Sequence, residues 1–293
     1  MTASRLLLWI CLGIAFQLAL AILVGLWRKR RGAAVSARDA PGEGKPVSKS
    51  DAWRAFRVTK REFEDPAQTQ CSFYLEPTDA KPLPDYAPGQ YLTFPVPIAD
   101  PAAPDGVRTL TRCYSLSEAS HPTRYRVTIK RASPPAEQPT ATPGLSSNHF
   151  HDHVHVGNVL KIKPPSGHFY LDTKAETPVV LIAGGIGITP MMSMLQWLVQ
   201  HQPAREVHLF YGVRNGYEHA FKAELQALAA THPQFHLQVV YSRQEPEDRL
   251  SEDFDFAGRI DTTLLTRVLG GHDYQFYLCG PSALMNTLVP ALL

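Results

Sequence analysis

The sequence predicts a chain of three parts: an N-terminal transmembrane helix, an antiparallel six-stranded barrel, and a doubly wound parallel sheet with helices. Three observations predict this β plus α/β class. An uncharged apolar segment comes first, six short β-like runs follow between proline-rich stretches, and strands then alternate with helices. The predicted boundaries are 1–31 for the anchor with its basic flank, 32–52 for a flexible linker, 53–173 for the barrel and 174–293 for the α/β domain.

The composition excludes several classes of protein. At 44% hydrophobic and 19% charged residues, the bulk of the chain is neither disordered nor a coiled coil. A net charge of +2 gives no reason to expect a nucleic-acid partner. The four cysteines lie far apart, which argues against a structural zinc site, an iron–sulfur cluster held by this chain alone or a disulfide scaffold, so no metal is expected; they are Cys11, Cys71, Cys113 and Cys279.

The predicted anchor begins at Leu6 and ends at Trp27. These 22 residues carry no charge and span about 33 Å as a helix, enough for a hydrocarbon core of ~30 Å. Four basic residues follow at 28–31 and only Arg5 precedes, so the positive-inside rule predicts a single-pass inner-membrane protein whose remaining domains face the cytoplasm. The alternatives are a cleaved signal peptide, which fits poorly because the main charge lies after the apolar segment, and an interfacial helix.

Short β-like runs predict the barrel. Strands are expected at 55–60, 70–76, 91–96, 112–116, 124–130 and 159–163, with proline-rich stretches at 81–88, 95–104 and 134–143 and one helix at 146–153. Beyond residue 178, strands are expected at 179–183, 207–213, 235–241 and 274–279. The helices between and after them are expected at 190–200, 219–231, 261–269 and 281–292. Thr189 and Pro190 are the predicted N-cap and first residue of the first of these helices.

A glycine-rich turn joins the first strand of the α/β region to its helix. Backbone amides at such a turn, together with the positive end of the helix, suit a phosphate group. The same turn also serves simply to pack a helix on a strand, and its spacing is not that of the usual dinucleotide fingerprint, so by itself it leaves both interpretations open. The turn is Gly184, Gly185, Ile186, Gly187, Ile188 and Thr189.

Two further motifs, taken with this turn, carry a resemblance to a known family. They are Arg112-Cys113-Tyr114-Ser115 in the barrel and Tyr277-Leu278-Cys279-Gly280-Pro281 at the end of the last predicted strand. In this order the three motifs resemble the ferredoxin–NADP reductase superfamily, and most closely the reductase module of flavohaemoglobins. The resemblance extends over the chain from about Trp53 to Leu293, without a globin domain. The other segments that carry the resemblance are Pro88-Gly89-Gln90-Tyr91, residues 144–148, residues 151–153, Asn215-Gly216 and His219-Ala220-Phe221.

The resemblance implies that the barrel binds FAD. Arg112 is expected on a phosphate of the flavin, where a guanidinium fork suits an oxyanion. Tyr91 and Tyr114 are expected to pack against the flavin, and Ser115 to place its hydroxyl near N5. The remaining residues with an implied role in FAD binding are Cys113, Thr128, Ile129, Lys130, Gly144, Leu145, Ser146 and Ser147.

The resemblance also implies NAD(P)H on the α/β domain, with its pyrophosphate on the glycine-rich turn and its nicotinamide beside Cys279, Gly280 and Pro281. Hydride would pass from the nicotinamide to the flavin, with Tyr114, Ser115 and Cys279 as the catalytic residues. Ser242 and Arg243 are expected near the adenosine ribose, but three acids follow at 245, 247 and 248. NADH and NADPH therefore both remain open, with a slight preference for NADH from the subfamily.

Four histidines alternate at His149, His151, His153 and His155. On a strand they would share one face and could bind a metal or haem, whereas on a helix they would point in several directions. The resemblance implies a helix beside the FAD phosphates.

The sequence departs from the family near its end, because the chain stops twelve residues after Pro281. Relatives continue through a fifth strand to an acid and to an aromatic that covers the flavin. Either the product is truncated or the gene continues, as in relatives with a ferredoxin domain, here beyond Leu293. We therefore expect a membrane-anchored NAD(P)H-dependent FAD reductase that delivers electrons to a haem or iron–sulfur acceptor. The alternatives are a reductase of free flavin or oxygen and a catalytically weak, membrane-tethered dinucleotide-binding module.

Overall fold

The structure is a computed structural model, and it describes residues 53–134, 138, 140–271 and 273–292. These residues belong to one compact unit. The predicted anchor at 1–31 and linker at 32–52 lie outside the described residues. Within the described part of the chain, no helix has the length and apolar character needed to cross a membrane.

Six antiparallel strands form the first sheet, in the order β4-β3-β6-β1-β2-β5. An isolated bridge between Leu116 and Val127 joins the residue after β4 to β5, so the two edges of the sheet meet and the sheet closes into a barrel. The sequence prediction of six antiparallel strands is confirmed. The strands are β1 Arg54–Phe63, β2 Gln70–Pro77, β3 Tyr91–Ala99, β4 Val107–Ser115, β5 Tyr125–Lys130 and β6 Val159–Ser166.

One helix, α1 Leu145–His153, covers the apolar interior of the barrel. Its Phe150 is 2% exposed and packs edge-on against Phe73, Phe94 and Tyr114, with ring centroids 5.3–5.4 Å apart. The alternating histidines therefore lie on a helix and its C-terminal flank, and the strand interpretation, with all four on one face, is wrong. His151 is buried, and its Nε2 lies 2.9 Å from the carbonyl oxygen of Ile129.

Five parallel strands form the second sheet, in the order β10-β9-β8-β7-β11. The chain moves outward from β7 to β10 and then returns to pair β11 with the other side of β7, so the strand order reverses between β7 and β11. The predicted doubly wound sheet is confirmed, and β10 is the one strand of this sheet that the sequence did not predict. The strands are β7 Val179–Gly184, β8 Val207–Val213, β9 Phe235–Tyr241, β10 Phe256–Ala257 and β11 Gln275–Cys279.

Helices cover both faces of this sheet. Buried residues of α2 Ile188–His201 and α3 Lys222–Thr231 pack on one face, while those of α4 Thr262–Val268 and α5 Ser282–Leu292 pack on the other. The two sheets occupy residues 54–166 and 179–279, and the boundary between 173 and 174 stays a prediction.

Two predicted helix starts are wrong. Thr189 is not an N-cap, because a 3₁₀ turn at Gly185–Gly187 continues directly into α2, and the Thr189 hydroxyl donates to the Ile186 carbonyl oxygen at 3.0 Å. The helix expected from residue 219 begins at Lys222, because Phe221 has a left-handed backbone with a φ of 58°.

Candidate active site

A cavity of about 960 Å³ lies between the barrel and the carboxyl ends of the parallel strands. Its volume is near the upper end of the usual range for cofactor sites, roughly 300–1,000 Å³. It also lies where the strand order of the sheet reverses, which is where open α/β sheets bind their ligands. The residues that line it include 113–115 and 128–130 from the barrel, and 184–187, 189, 212–214, 218, 240, 242, 258–261 and 279–281 from the α/β region.

The glycine-rich turn packs directly on the backbone that follows β11. A Cβ atom on Gly187 would lie 2.1 Å from the carbonyl oxygen of Cys279, and one on Gly280 would lie 3.0 Å from the backbone nitrogen of Gly184. These approaches leave no room for a side chain at either position. Close packing thus explains Gly184, Gly187 and Gly280, but not Gly185, whose φ is +52° and whose absent Cβ would meet nothing within 4 Å.

The same turn leads into the amino end of α2. Because the 3₁₀ turn continues into α2, the Ile188 amide donates to the Gly185 carbonyl oxygen, and the helical amides without a partner are those of the turn itself, where a negative charge is favoured. No acidic residue occupies the first turn of α2, and its N-cap, Gly187, provides no side-chain bond. The turn therefore suits a phosphate as well as close packing, although Ile188 is fully buried and does not line the cavity.

The Arg-Cys-Tyr-Ser motif ends β4 at the cavity. Cys113, Tyr114 and Ser115 line it, and burial raises the pKa of Tyr114 to about 12, so its hydroxyl stays protonated at neutral pH. Tyr91 pairs in register with Ser115 but is not a lining residue. Its ring lies close to Gly167, where a Cβ would come within 2.7 Å of it.

Arg112 is exposed and lies outside the cavity lining. Its Nη1 donates to the carbonyl oxygen of Thr111 at 2.8 Å. Among the described residues it forms no ion pair with a carboxylate, so the rest of its guanidinium fork is available to an anion.

The start of α1 also lies outside the cavity lining, yet it retains an unused polar atom. Ser147 Oγ donates to the Gly144 carbonyl oxygen at 3.3 Å and accepts from the Ala132 amide at 3.2 Å. Ser146 is 5% exposed, and its Oγ has no hydrogen-bond partner among the described residues. An unsatisfied hydroxyl at the amino end of a helix fits a phosphate oxygen, as an FAD pyrophosphate would supply.

Lys130 lines the cavity, and an acid pairs with it. Its Nζ lies 2.5 Å from Oε2 of Glu218, whose Oε1 lies 2.8 Å from Arg214 Nη1. Burial alone would raise the pKa of Glu218, but the bonds from Lys130 and Arg214 hold that pKa below its usual value. Thr128 is also engaged, since its Oγ1 lies 2.7 Å from Ser72 Oγ and 2.8 Å from Ser117 Oγ. Ile129 lines the same wall.

Glu218 and Arg259 both line the cavity, although no sequence motif indicated either of them. Glu218 follows Asn215-Gly216, a pair already associated with the family, but nothing in its local sequence indicates a bond to the barrel. Arg259 is exposed and has no ion pair or hydrogen bond among the described residues. Because an arginine that follows a glycine is common in proteins, the sequence around Arg259 did not indicate that it lines a cavity.

The acids near the predicted ribose site hold a loop together. Glu245 Oε1 accepts from Asn215 Nδ2 at 2.9 Å, and Asp248 accepts from the amides of Gly216 and Glu245 at 3.1 and 2.8 Å. Ser242 lines the cavity and donates to the Val213 carbonyl oxygen, whereas Arg243 does not line it.

Cys279 ends β11 beside Ala183 of β7 and lines the cavity together with Gly280 and Pro281. It is half-buried, and burial raises the pKa of its thiol, so it is neutral at physiological pH. A neutral thiol provides a small polarizable surface at this end of the cavity.

Known proteins are similar to this chain in sequence and in fold. Residues 181–289 match the family model described as the oxidoreductase NAD-binding domain. A flavohaemoprotein of Halalkalibacterium halodurans is 40% identical over 243 residues, which is 82% of this chain and 57% of that protein. The chain thus spans little more than half the length of this relative.

Two solved structures extend the comparison. One is the flavohaemoglobin-like FAD/NAD-binding domain of a Vibrio cholerae nitric oxide dioxygenase, which is 33% identical to this chain. The two superpose with a TM-score of 0.69, and the match covers 82% of this chain and 92% of that one. Phthalate dioxygenase reductase is 26% identical, with a TM-score of 0.61 over 84% of this chain and 65% of that one. The chain therefore belongs to the family of ferredoxin–NADP reductase-like FAD/NAD-binding modules of flavohaemoglobins, and it is an NAD(P)H-dependent FAD reductase.

Proposed function

We propose that this protein is a membrane-anchored reductase that passes electrons from NAD(P)H, through FAD, to a haem or iron–sulfur acceptor. The observation that supports it is one cavity, which Tyr114 and Ser115 of the barrel line together with the glycine-rich turn and Cys279 of the sheet. A full flavohaemoprotein is longer than this chain. Phthalate dioxygenase reductase is described as modular, for electron transfer from pyridine nucleotides to a 2Fe–2S centre. An external or appended acceptor is consistent with both relatives.

The chain's own residues would hold and orient the two groups. Arg112 and the start of α1, with the free hydroxyl of Ser146, would bind FAD phosphates. Tyr114 and Ser115 would contact the flavin ring on one side of the cavity, and Cys279 would contact the nicotinamide on the other. FAD, when bound, supplies a ring that accepts a hydride and releases electrons one at a time.

The choice of dinucleotide depends on charge at the adenosine end. The subfamily slightly favours NADH, which lacks a phosphate on that ribose. In the described residues, however, Glu245 and Asp248 are engaged in their own loop, while Arg259 faces the cavity without a partner. We infer that NADPH is used alongside NADH, since a free guanidinium favours the additional phosphate.

The membrane part of the proposal depends on the sequence pattern alone. The uncharged segment from Leu6 to Trp27, with its basic flank, supports an inner-membrane protein whose reductase faces the cytoplasm. In this position the acceptor would itself be membrane-bound or cytoplasmic.

The test is a spectroscopic titration of the purified, detergent-solubilised full chain. We expect a yellow flavin spectrum that bleaches on anaerobic addition of NADH or NADPH and reappears when a one-electron acceptor such as ferricyanide is added. Fractionation of cells should recover the protein in carbonate-washed membranes, and a chain without residues 1–31 should appear in the supernatant. A protein without flavin after reconstitution with FAD, or whose flavin does not bleach, would contradict the reductase proposal.

A further inference from the structure

Two histidines and a glutamate lie close together at the amino ends of the parallel strands, away from the cofactor cavity. His208 is the second residue of β8, and it pairs in register with His236, the second residue of β9. Glu206 precedes β8 and lies two residues before His208, so its side chain shares the same face. Since a strand rises about 3.3 Å per residue, His208 lies roughly 13 Å from Gly212, the nearest residue of β8 that lines the cavity.

The three side chains bring potential ligand atoms close together. One ligand atom from each of them lies within 4.8 Å of the other two. His208 Nε2 is 2.9 Å from Glu206 Oε1, which is near the separation of about 3.3 Å expected for two ligands bound at 2.0–2.1 Å in a tetrahedron. The His208 and His236 rings have centroids 4.7 Å apart, and His236 is partly open to solvent, so its ring can turn toward a shared ion.

His208 is not satisfied by the protein alone. It is 7% exposed, and its Nδ1 has no hydrogen-bond partner among the described residues. Since Nε2 is the nitrogen that faces Glu206, Nε2 would bind the ion, and Nδ1 would then carry the ring proton.

We propose that Glu206, His208 and His236 form a binding site for one divalent transition-metal ion of the zinc class, with water in the fourth position. Imidazole and carboxylate ligands suit Zn²⁺ and its neighbours in the transition series better than Mg²⁺ or Ca²⁺, which prefer oxygen alone. The ion would join β8 to β9 at the amino ends of the strands, opposite the cavity. It would therefore stabilise the α/β region without entering the electron path. This departs from the expectation, drawn from the cysteines, that the chain binds no metal.

The test is calorimetric titration of ZnCl₂ into the flavin-loaded, EDTA-treated protein. The variants are H236Q and E206Q, which change the more accessible ligands and spare the buried His208. The control is H201Q, an exposed histidine on α2 that stacks on Trp197. We expect one saturable site per wild-type chain, unchanged in H201Q and weakened in H236Q and E206Q by at least about tenfold, since even loss of an outer-shell partner costs that much.

Thermal unfolding provides a second measurement, since an ion bound only to the folded state raises the melting temperature. Zinc should raise it in wild type and H201Q and leave it unchanged in H236Q. Flavin content and NADH-dependent bleaching should be the same in all four proteins, which would show that each is folded. Absence of a saturable site, equal binding in wild type and H236Q, or a loss confined to only one of the two ligand variants would overturn the three-ligand site.

Discussion

Arg112 differs from Arg108, the other exposed arginine of β4, in its partners. Arg108 Nε lies 3.6 Å from Oδ2 of Asp100, whereas Arg112 bonds only to its neighbouring carbonyl among the described residues. We predict that Arg112→Ala weakens FAD binding by roughly 10- to 100-fold, because hydrogen bonds to charged groups contribute about 1.5–3 kcal/mol. Flavin retained after exhaustive dialysis measures this, and Arg108→Ala is the matched control. Equal flavin content in the two variants would show that Arg112 does not bind FAD.

Arg259 and Arg243 allow a similar comparison at the adenosine end of the cavity. Of the two, only Arg259 lines the cavity, although the sequence predicted that Arg243 lies near the adenosine ribose. We predict that Arg259→Ala raises the KM for NADPH about tenfold and that for NADH by less than about twofold, since a charged contact to a phosphate is lost. Arg243→Ala should change both values little. A larger effect of Arg243 on NADPH would assign the phosphate to the loop after β9 instead.

Cys279 is half-buried, and its thiol is neutral, so its role must be one of shape rather than charge. We predict that Cys279→Ala lowers the rate of flavin reduction about tenfold and leaves the dissociation constant of NADH nearly unchanged, because a small displacement of the ring weakens orientation more than binding. Stopped-flow reduction at several NADH concentrations separates the two constants. A variant that loses affinity while keeping its limiting rate would contradict this role.

At the scale of secondary-structure elements, the contact of the glycine-rich turn with the end of β11 limits substitution most severely. Gly187→Ala would place a methyl group 2.1 Å from the Cys279 carbonyl oxygen, so backbone must move. We predict a loss of about 1–3 kcal/mol in the free energy of unfolding, as for other overpacked sites, together with weaker NADH binding. Urea unfolding and fluorescence titration measure these effects. Gly271→Ala is the control, since a Cβ there meets nothing within 4 Å, and an equal effect of both substitutions would exclude the steric cause.

The strands were more predictable from the sequence than the positions of helix starts. The runs at 207–213 and 235–241 match β8 and β9 residue for residue, because strands covered by helices on both faces are rich in aliphatic and aromatic residues. The prediction of Thr189 as an N-cap was wrong because the helix already begins before it, in continuation of a 3₁₀ turn. Local residue propensities do not reveal such a turn. The two-residue β10 is too short to produce a pattern.

Site residues were predictable where a motif carries them and not where tertiary contact creates the role. Cys113, Tyr114, Ser115 and Cys279 all reach the cavity, as their motifs indicated. Glu218 lies 88 positions from Lys130 along the chain, and only the folded structure brings the two together. The predicted role of Lys130 in FAD binding therefore gave no sign of the acid that pairs with it.

At the scale of the whole molecule, polar contacts connect the barrel to the parallel sheet. Arg126 of β5 is buried, and its Nη1 lies 3.4 Å from Glu224 Oε2 on α3, while Glu224 also accepts a hydrogen bond from Gln196 of α2. Gln196 in turn accepts from the Ala119 amide, in the barrel, at 2.8 Å. These contacts, with the Lys130–Glu218–Arg214 group, determine the separation of the two cavity walls. If FAD and NAD(P)H bind as proposed, the separation of their rings would depend on these contacts.

The Lys130–Glu218–Arg214 group makes this connection dependent on pH. The pKa of Glu218 in the folded protein is below its usual value of 4.5, so its contribution to stability is complete above about pH 4.5 and is lost as the pH falls through the folded pKa. We predict that Glu218→Gln lowers the free energy of unfolding at pH 7 by about 1–2 kcal/mol, a charged hydrogen bond discounted for partial exposure. The difference from wild type should shrink below pH 4.5. Urea unfolding of the flavin-loaded proteins at pH 7 and pH 4 measures it, with Glu252→Gln, from the exposed pair with Arg249, as the control. A difference that stays constant between the two pH values would show that Glu218 acts through packing and not through its charge.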